Sequence, residues 1–394
     1  MPPSLKDAPA SPNPPFPLTP DLAIIGGGIV GLWCARYAAD LGLSTVLIEK
    51  GGIGQGASGG FLGALMPHQP IAWSPVKAFQ LDALLSLETE IAQLQNQTGM
   101  SCGYLRCGRL IPTRTEKKRK QRETWQAAAI ENWPARTAAG LALEWRLLEA
   151  TPDPTWLLPG AAPLGCEFDT LSARLHPRKT IAALRRSLQQ QVYLRENSLV
   201  ERFEDGGRSL ILDDGTRLSP GHVIVTAGHR SFDLLRPLSV RRLGRGVKGQ
   251  AALLQPACQI DPSSPIIYFG GVYVIAHDSG RIAVGSTSES DFSSPDSTDH
   301  KLDDLISRAT ELCPALEGSR MVERWAAVRP NAIGRHPMIG RLPEAPHVIA
   351  CTGGYKISFG IAHKMAGAAL RLVGGSTPEL PAGFTLEAHY ACAD

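Results

Sequence analysis

The sequence predicts an α/β fold that opens on a βαβ unit, and three observations carry that reading. A short apolar run, Leu22-Ala23-Ile24-Ile25, is followed at once by Gly26-Gly27-Gly28-Ile29-Val30-Gly31 and by a helical pattern that closes at Gly42. A second apolar run, Thr45-Val46-Leu47-Ile48, ends on an acidic residue, Glu49. Strand, glycine turn, helix and strand thus follow one another within about thirty residues, in the order of a dinucleotide-binding turn. At 394 residues the chain is too long for this unit alone, so two domains or one large composite are expected.

Composition limits what surrounds the unit. Hydrophobic residues make up 43% and charged residues 20%, enough to bury a core beneath a polar surface, which excludes a wholly disordered chain. Forty basic against 37 acidic residues leave +3, no single-sign field for nucleic acid or anionic lipid. The eight cysteines contain no C-x-x-C pair, which argues against a disulfide scaffold and against a metal site. Reduced, buried thiols suit a cytoplasmic protein. The first twenty residues are proline-rich, lack the apolar stretch of a secretory signal, and read as a flexible arm. The longest apolar run, 22–35, holds four glycines and is too short to span a membrane.

The remaining elements follow in order. Residues 51–64 are glycine-dense. Ser74-Pro75 reads as an N-cap with proline in the first turn, starting a helix from 76 to about 97. The basic run 116–122 reads as a solvated helix face. A helix is expected over 176–193, then strands near 198–204 and 208–212 around the turn Asp205-Gly206-Gly207. A strand over 223–226 leads into Ala227-Gly228, and further strands are expected at 250–255, 266–275 and 281–286. A helix from about 299 to 312 precedes an apolar run over 347–351, the turn Thr352-Gly353-Gly354, and a last helix starting near Gly360.

The glycines suggest chemistry. Gly26 permits the tight turn, Gly28 lets a pyrophosphate approach the backbone, and Gly31 lets helix and strand pack closely. The helix N-terminus offers free N–H groups and partial positive charge to phosphate. Glu49, 18 residues beyond Gly31, is placed to accept ribose hydroxyls and would repel a 2′-phosphate. Further glycine segments after the second strand and near the C-terminus suit a cofactor stretched across the protein, which favours FAD over NAD.

With these residues in view, the chain resembles the FAD-dependent D-amino-acid-oxidase superfamily, in its glycine oxidase and sarcosine oxidase-like branch. The pieces that carry the resemblance run in family order from Ala23 to about Gly367: AIIGGGIVGL, Glu49-Lys50, GASGGFLGALMP at 56–67, VIVTAGHRS at 223–231, KGQ at 248–250, YVIAHDSGRIAVGSTSE at 273–289, WAAVRPNAIGRHPMIG at 325–340, and TGGYKISFGIA at 352–362. The resemblance implies a discontinuous Rossmann-like FAD-binding domain (21–90, 165–235 and 325–394). A mainly antiparallel-sheet substrate domain would be supplied by 91–164 and 236–324.

It also implies roles. Gly26, Gly28, Ile29 and Gly31 would hold the pyrophosphate, and Glu49 with Lys50 the adenosine ribose. Ser58 and Gly59 would line the phosphate and ribityl path, with Ala64 and Leu65 beside the flavin. Val200 would meet adenine, and Ala227-Gly228 would turn under the cofactor. Gly354, Tyr355, Lys356, Ser358 and Gly360 would cradle the pyrimidine end of the flavin. Arg329 matches the arginine of the family's RP motif, which holds the carboxylate of an amino acid; Lys356 matches a lysine of that role in sarcosine oxidases, and Tyr273 an aromatic pocket residue. An arginine fork and a lysine point charge are sensible carboxylate partners. The bland readings are a structural ion pair for Arg329, a flavin contact alone for Lys356, core packing for Tyr273, and satisfied polar roles for His68 and His336.

The chain departs from the pattern at three places. Gly334-Arg335 stands where the RP motif normally continues to an aspartate. Ala327 falls near the tethering cysteine of sarcosine oxidases, so FAD is expected to be non-covalent. Ala283 falls near their oxygen-activating lysine. The leading expectation is an enzyme that oxidises the C–N bond of a small amino acid or secondary amine by hydride transfer to flavin N5, with oxygen or a redox partner as acceptor. The alternatives are a dehydrogenase feeding a quinone or protein, a tRNA-modifying FAD enzyme, and a non-catalytic flavin-binding subunit.

Overall fold

Apolar β-branched runs at four places in the chain build one sheet. The computed structural model describes residues 16–239 and 241–393. Its six-stranded sheet runs Met338–Leu342, Ala345–Thr352, His222–Val225, Leu22–Ile25, Thr45–Ile48, Tyr193–Arg195. All pairs are parallel except the first, where Met338–Leu342 runs antiparallel at the edge. The four residues of Leu22–Ile25 are all buried, as a central parallel strand covered on both faces requires.

Alternation divides the two faces. Leu22, Ile24, Leu47 and Ile349 pack under the helices Ile29–Asp40, Pro75–Thr98, Pro177–Ser187 and Ser358–Val373. Ala23, Ile25, Val46 and Val348 pack on the other side with Val200, Leu210 and Leu218 of a small antiparallel sheet and Phe232 of helix Ser231–Ser239. Ser74 caps its helix by accepting from Lys77 N–H at 3.4 Å, with Pro75 in the first turn as expected.

The second large sheet has eight strands: Arg320–Ala332, Gly244–Gln255, Ile282–Gly285, Val272–Ala276, Ile266–Phe269, Arg109–Pro112, Cys166–Asp169, Trp145–Leu148. One neighbouring pair, Ile266–Phe269 with Arg109–Pro112, is parallel; the others are antiparallel. Ala252, Leu254, Val274 and Val284 face Leu302 and Leu305 of helix His300–Thr310, while Ala251, Leu253, Ile275 and Ala283 cluster with Phe61 on the opposite side.

Local expectations needed three corrections. The helix begun at His176-Pro177 stops at Ser187; Gln190 turns left-handed at φ +77°, and Tyr193–Arg195 becomes the sixth strand of the sheet, parallel to Val46–Ile48. The stretch 266–275 is two strands, folded at Gly270-Gly271, whose φ values of +56° and +86° suit glycine. The basic run lies on helix Glu116–Asn132, but Arg122 is buried and ion-paired with Glu167 of the sheet beneath. Of the proline-rich arm, residues 1–15 lie outside the described residues. Phe16 packs edge-on against Tyr193 at 5.0 Å with the Arg195 guanidinium 4.3 Å from its ring centre, and Leu18 and Pro20 carbonyls accept from Ser219 and Gly221. That end of the arm is held against the sheet.

Candidate active site

A cavity of about 770 Å³ opens where the parallel strands end. Residues just past each strand line it: Gly26, Gly28 and Ile29 after the first, Glu49 and Lys50 after the second, Ala227 and Gly228 after His222–Val225, and Gly353 to Gly360 after Ala345–Thr352. Carboxyl ends of parallel strands are where open α/β sheets bind ligands.

The glycine turn has the geometry its spacing demands. Gly26 sits at φ +111°, and a Cβ there would lie 2.6 Å from the Thr226 carbonyl oxygen. A Cβ on Gly31 would lie 1.9 Å from the Gly26 carbonyl oxygen, so helix and turn approach only through glycine. Gly31 therefore shapes the cavity without lining it. Thr226 Oγ1 ties the turn by donating to the carbonyls of Ile25 and Gly26 at 3.0 and 2.9 Å.

Two polar side chains bind this turn. Glu49 accepts from Gly27 N–H at 2.7 Å through one carboxylate oxygen and from Gly51 N–H at 3.1 Å through the other. A carboxylate has about four acceptor sites, so both oxygens keep capacity for hydroxyl donors. Ser58 Oγ accepts from Ile29 N–H at 3.0 Å, while Gly28 gives its helix no side-chain cap. Gly59, predicted beside Ser58, does not line the cavity among its described walls; a Cβ there would lie 2.6 Å from the Gly54 carbonyl oxygen, so it serves the loop's packing. Ala64, Leu65 and Val200 do line it.

At the other side of the cavity Trp325, Ala327 and Arg329 alternate along one long strand and all reach the wall. Arg329 is 9% exposed, donates to the Thr287 carbonyl at 3.2 Å, and has no ion-pair partner among the described residues. Burial lowers its pKa, opposed by Tyr355, Tyr273 and Glu289. Tyr273 packs against Tyr268 with ring centres 4.8 Å apart and planes tilted by 50°, and burial pushes its hydroxyl pKa up to about 12. Lys356 stands at the exposed rim with its ammonium 5.8 Å from the Tyr355 ring centre; desolvation lowers its pKa first, the Arg329 guanidinium second. His68 and His336 do not line the cavity.

Comparison with known families decides which cofactor the chain uses. Residues 21–368 match the family DAO, FAD dependent oxidoreductase. The chain belongs to this family. It is 27% identical over 346 residues to a glycine oxidase of Pseudomonas aeruginosa, covering 85% of this chain and 89% of that one. In structure it is similar to glycine oxidase from Geobacillus kaustophilus, with TM-score 0.81 and 20% identity over 93% of this chain and 98% of that one. It is also similar to an iminodiacetate oxidase from Chelativorans sp. BNC1, with TM-score 0.79 and 22% identity over 91% and 97%. It is thus an FAD-dependent oxidoreductase.

The chain's own residues fit that cofactor. Gly28 carries no Cβ and no capping side chain at a helix start that lines the cavity, where a pyrophosphate can approach the backbone; the Ile29 N–H there is already taken, by Ser58 Oγ. A second helix, Ser358–Val373, also starts at the cavity without a side-chain cap. Sequence reasoning missed Trp325, Ser286, Gln80 and His229 among the lining residues. Gln80 secures the loop before its helix, accepting from His68 N–H at 2.8 Å and donating to the Met66 carbonyl at 3.2 Å. Trp325 carried one readable signal, the period-two spacing that sets it on the face of Ala327 and Arg329.

Proposed function

We propose that this enzyme oxidises the C–N bond of a small amino acid or secondary amine bearing a carboxylate. One observation carries the reading: a buried, cavity-lining guanidinium, Arg329, whose hydrogen bond goes to a backbone carbonyl and not to a carboxylate. An unpaired buried cation is costly to keep without an anionic ligand. A carboxylate is the partner its planar fork matches.

Bound FAD, held non-covalently, supplies the hydride acceptor. The chain's residues do the rest. Gly26, Gly28, Ile29 and Ser58 receive the pyrophosphate, Glu49 and Lys50 the ribose, and Gly354, Tyr355, Ser358 and Gly360 the pyrimidine edge of the ring system. Arg329 anchors the substrate carboxylate, Tyr273 limits the pocket beside it, and Lys356 adds positive charge at the rim. Holding the carboxylate fixes the amine-bearing carbon for transfer, which is where orientation lowers the barrier. The oxidised product is an imine, which water converts to an oxo acid and an amine. Oxygen or another acceptor would take up the two electrons in turn, and the proposed setting is the cytoplasm.

The test is anaerobic mixing of the flavin-loaded enzyme with amino acids and N-alkyl amines. Bleaching of the flavin band by carboxylate-bearing amines supports the reading; no bleaching by any of them refutes it. Admitting air then separates oxidase from dehydrogenase by the speed of recolouring.

A further inference from the structure

Beside the main cavity lies a second of about 370 Å³, and Ser286 and Lys356 line both. Its other walls are the Gly270-Gly271 turn, Thr287 and Ser288, and one face of helix His300–Thr310 carrying Lys301, Asp304, Leu305 and Arg308. These four helical positions follow the spacing that puts side chains on one face. Leu305 is buried against the sheet, so its polar neighbours are fixed at the rim.

The charge of this second cavity is one-sided. Lys301, Arg308 and Lys356 face it against a single carboxylate, Asp304. Lys301 holds Glu289 at 2.9 Å and has further ammonium N–H groups to give. Arg308 donates one Nη2 N–H to the Gly270 carbonyl at 2.8 Å, which aims the rest of its fork without neutralising it. Neither Arg308 nor Lys356 has an ion-pair partner among the described residues.

We propose that this cavity is a subsite for a second, distal carboxylate of the substrate, so that the preferred substrates are dicarboxylic amines. The inference rests on the amine-oxidation reading, with the first carboxylate at Arg329. Lys356 borders both cavities and so joins the two anion sites. A cationic tail would meet the unpaired charges of Arg308 and Lys356, and an aliphatic tail would desolvate them without compensation.

Binding is tested on the flavin-loaded enzyme by calorimetry with thioethers, which have no C–N bond to oxidise. The probes are thiodiacetate, its longer homologue (carboxymethylthio)propanoate, and (isobutylthio)acetate, which replaces one carboxylate of thiodiacetate by an apolar isostere. At least one dicarboxylate is expected to bind roughly tenfold tighter than the isostere, the ordinary worth of a charge-assisted hydrogen bond. Arg308→Gln combined with Lys301→Met should abolish that preference. Equal affinities for all three, or a preference that survives the double variant, overturns the subsite. Parallel flavin reduction by iminodiacetate and N-isobutylglycine separates the two claims. If thiodiacetate is preferred but no amine reduces the flavin, amine oxidation fails and the subsite stands; if both amines are oxidised equally and no thioether preference appears, the subsite alone fails.

Discussion

The guanidinium of Arg329 lies against Gly249, where a Cβ would stand 2.0 Å from Nη2. Arg329 pairs with Val247 across the two longest strands, so Gly249 is two residues along on the same face. The side chain that would clash is a flexible arginine tip, which can move aside without unfolding the sheet. Gly249→Ala should therefore fold and bind FAD normally while displacing the guanidinium. We expect kcat/KM for a carboxylate-bearing amine to fall roughly tenfold, an ordinary loss for one misaligned charged hydrogen bond. Steady-state kinetics beside the flavin absorbance of the purified protein checks it.

Arg329→Leu removes the proposed anchor itself. The loss should be roughly a hundredfold in kcat/KM, and confined to substrates with a carboxylate. Equal loss for neutral amines would assign Arg329 a structural role. Lys356→Met, at the exposed rim, should cost less than Arg329→Leu with FAD still bound; unchanged Michaelis behaviour would remove Lys356 from substrate binding.

Glu49 organises the glycine turn before it meets any ribose. Glu49→Gln keeps one carbonyl oxygen for Gly27 or Gly51 but turns an NH2 toward the other donor. FAD affinity should weaken by about tenfold or more, since hydrogen bonds to a charged group are worth about 1.5–3 kcal/mol each. Titration of apoprotein with FAD, followed by quenching of flavin fluorescence, reads the change.

His277 makes stability depend on pH. It is fully buried, its Nε2 lies 2.7 Å from the Phe61 carbonyl oxygen, and burial lowers its pKa from 6.5 to about 4, helped by the neighbouring His176. With the folded value depressed, the unfolded chain takes up the proton first as pH falls. This contribution is complete above about pH 6.5 and is lost as pH drops toward 4, by about 3 kcal/mol. Denaturant midpoints across that window should slope less in His277→Asn than in the parent.

What the sequence revealed and what it hid follow from the distance over which each feature is determined. The glycine turn, Glu49 and the Ser74-Pro75 helix start are local, with residues and backbone needs inside one short segment. Tyr193–Arg195 was hidden because three residues carry too little pattern to stand apart from a preceding helix, and only pairing with Val46–Ile48 makes them a strand. The Gly270-Gly271 turn was lost inside an apolar run that reads as one strand. Gly249 beneath Arg329 depends on a register between segments about eighty residues apart, which no local pattern encodes. The buried Arg122 was disguised by its basic neighbours, since the partner that calls it inward, Glu167, lies on another element.

The cavity is walled mainly by six stretches of the chain, 25–30, 48–66, 198–201, 226–234, 325–330 and 351–360, with single residues such as Gln80, Tyr273 and Ser286 between them. A ligand touching all of them is a clasp as well as a reagent. By mass action, each tenfold rise in free FAD above its dissociation constant adds about 1.4 kcal/mol to the folded state. Resistance to unfolding is thereby tied to flavin supply: the apoprotein should open at a lower denaturant concentration than the flavin-loaded enzyme, by a margin that grows with free FAD.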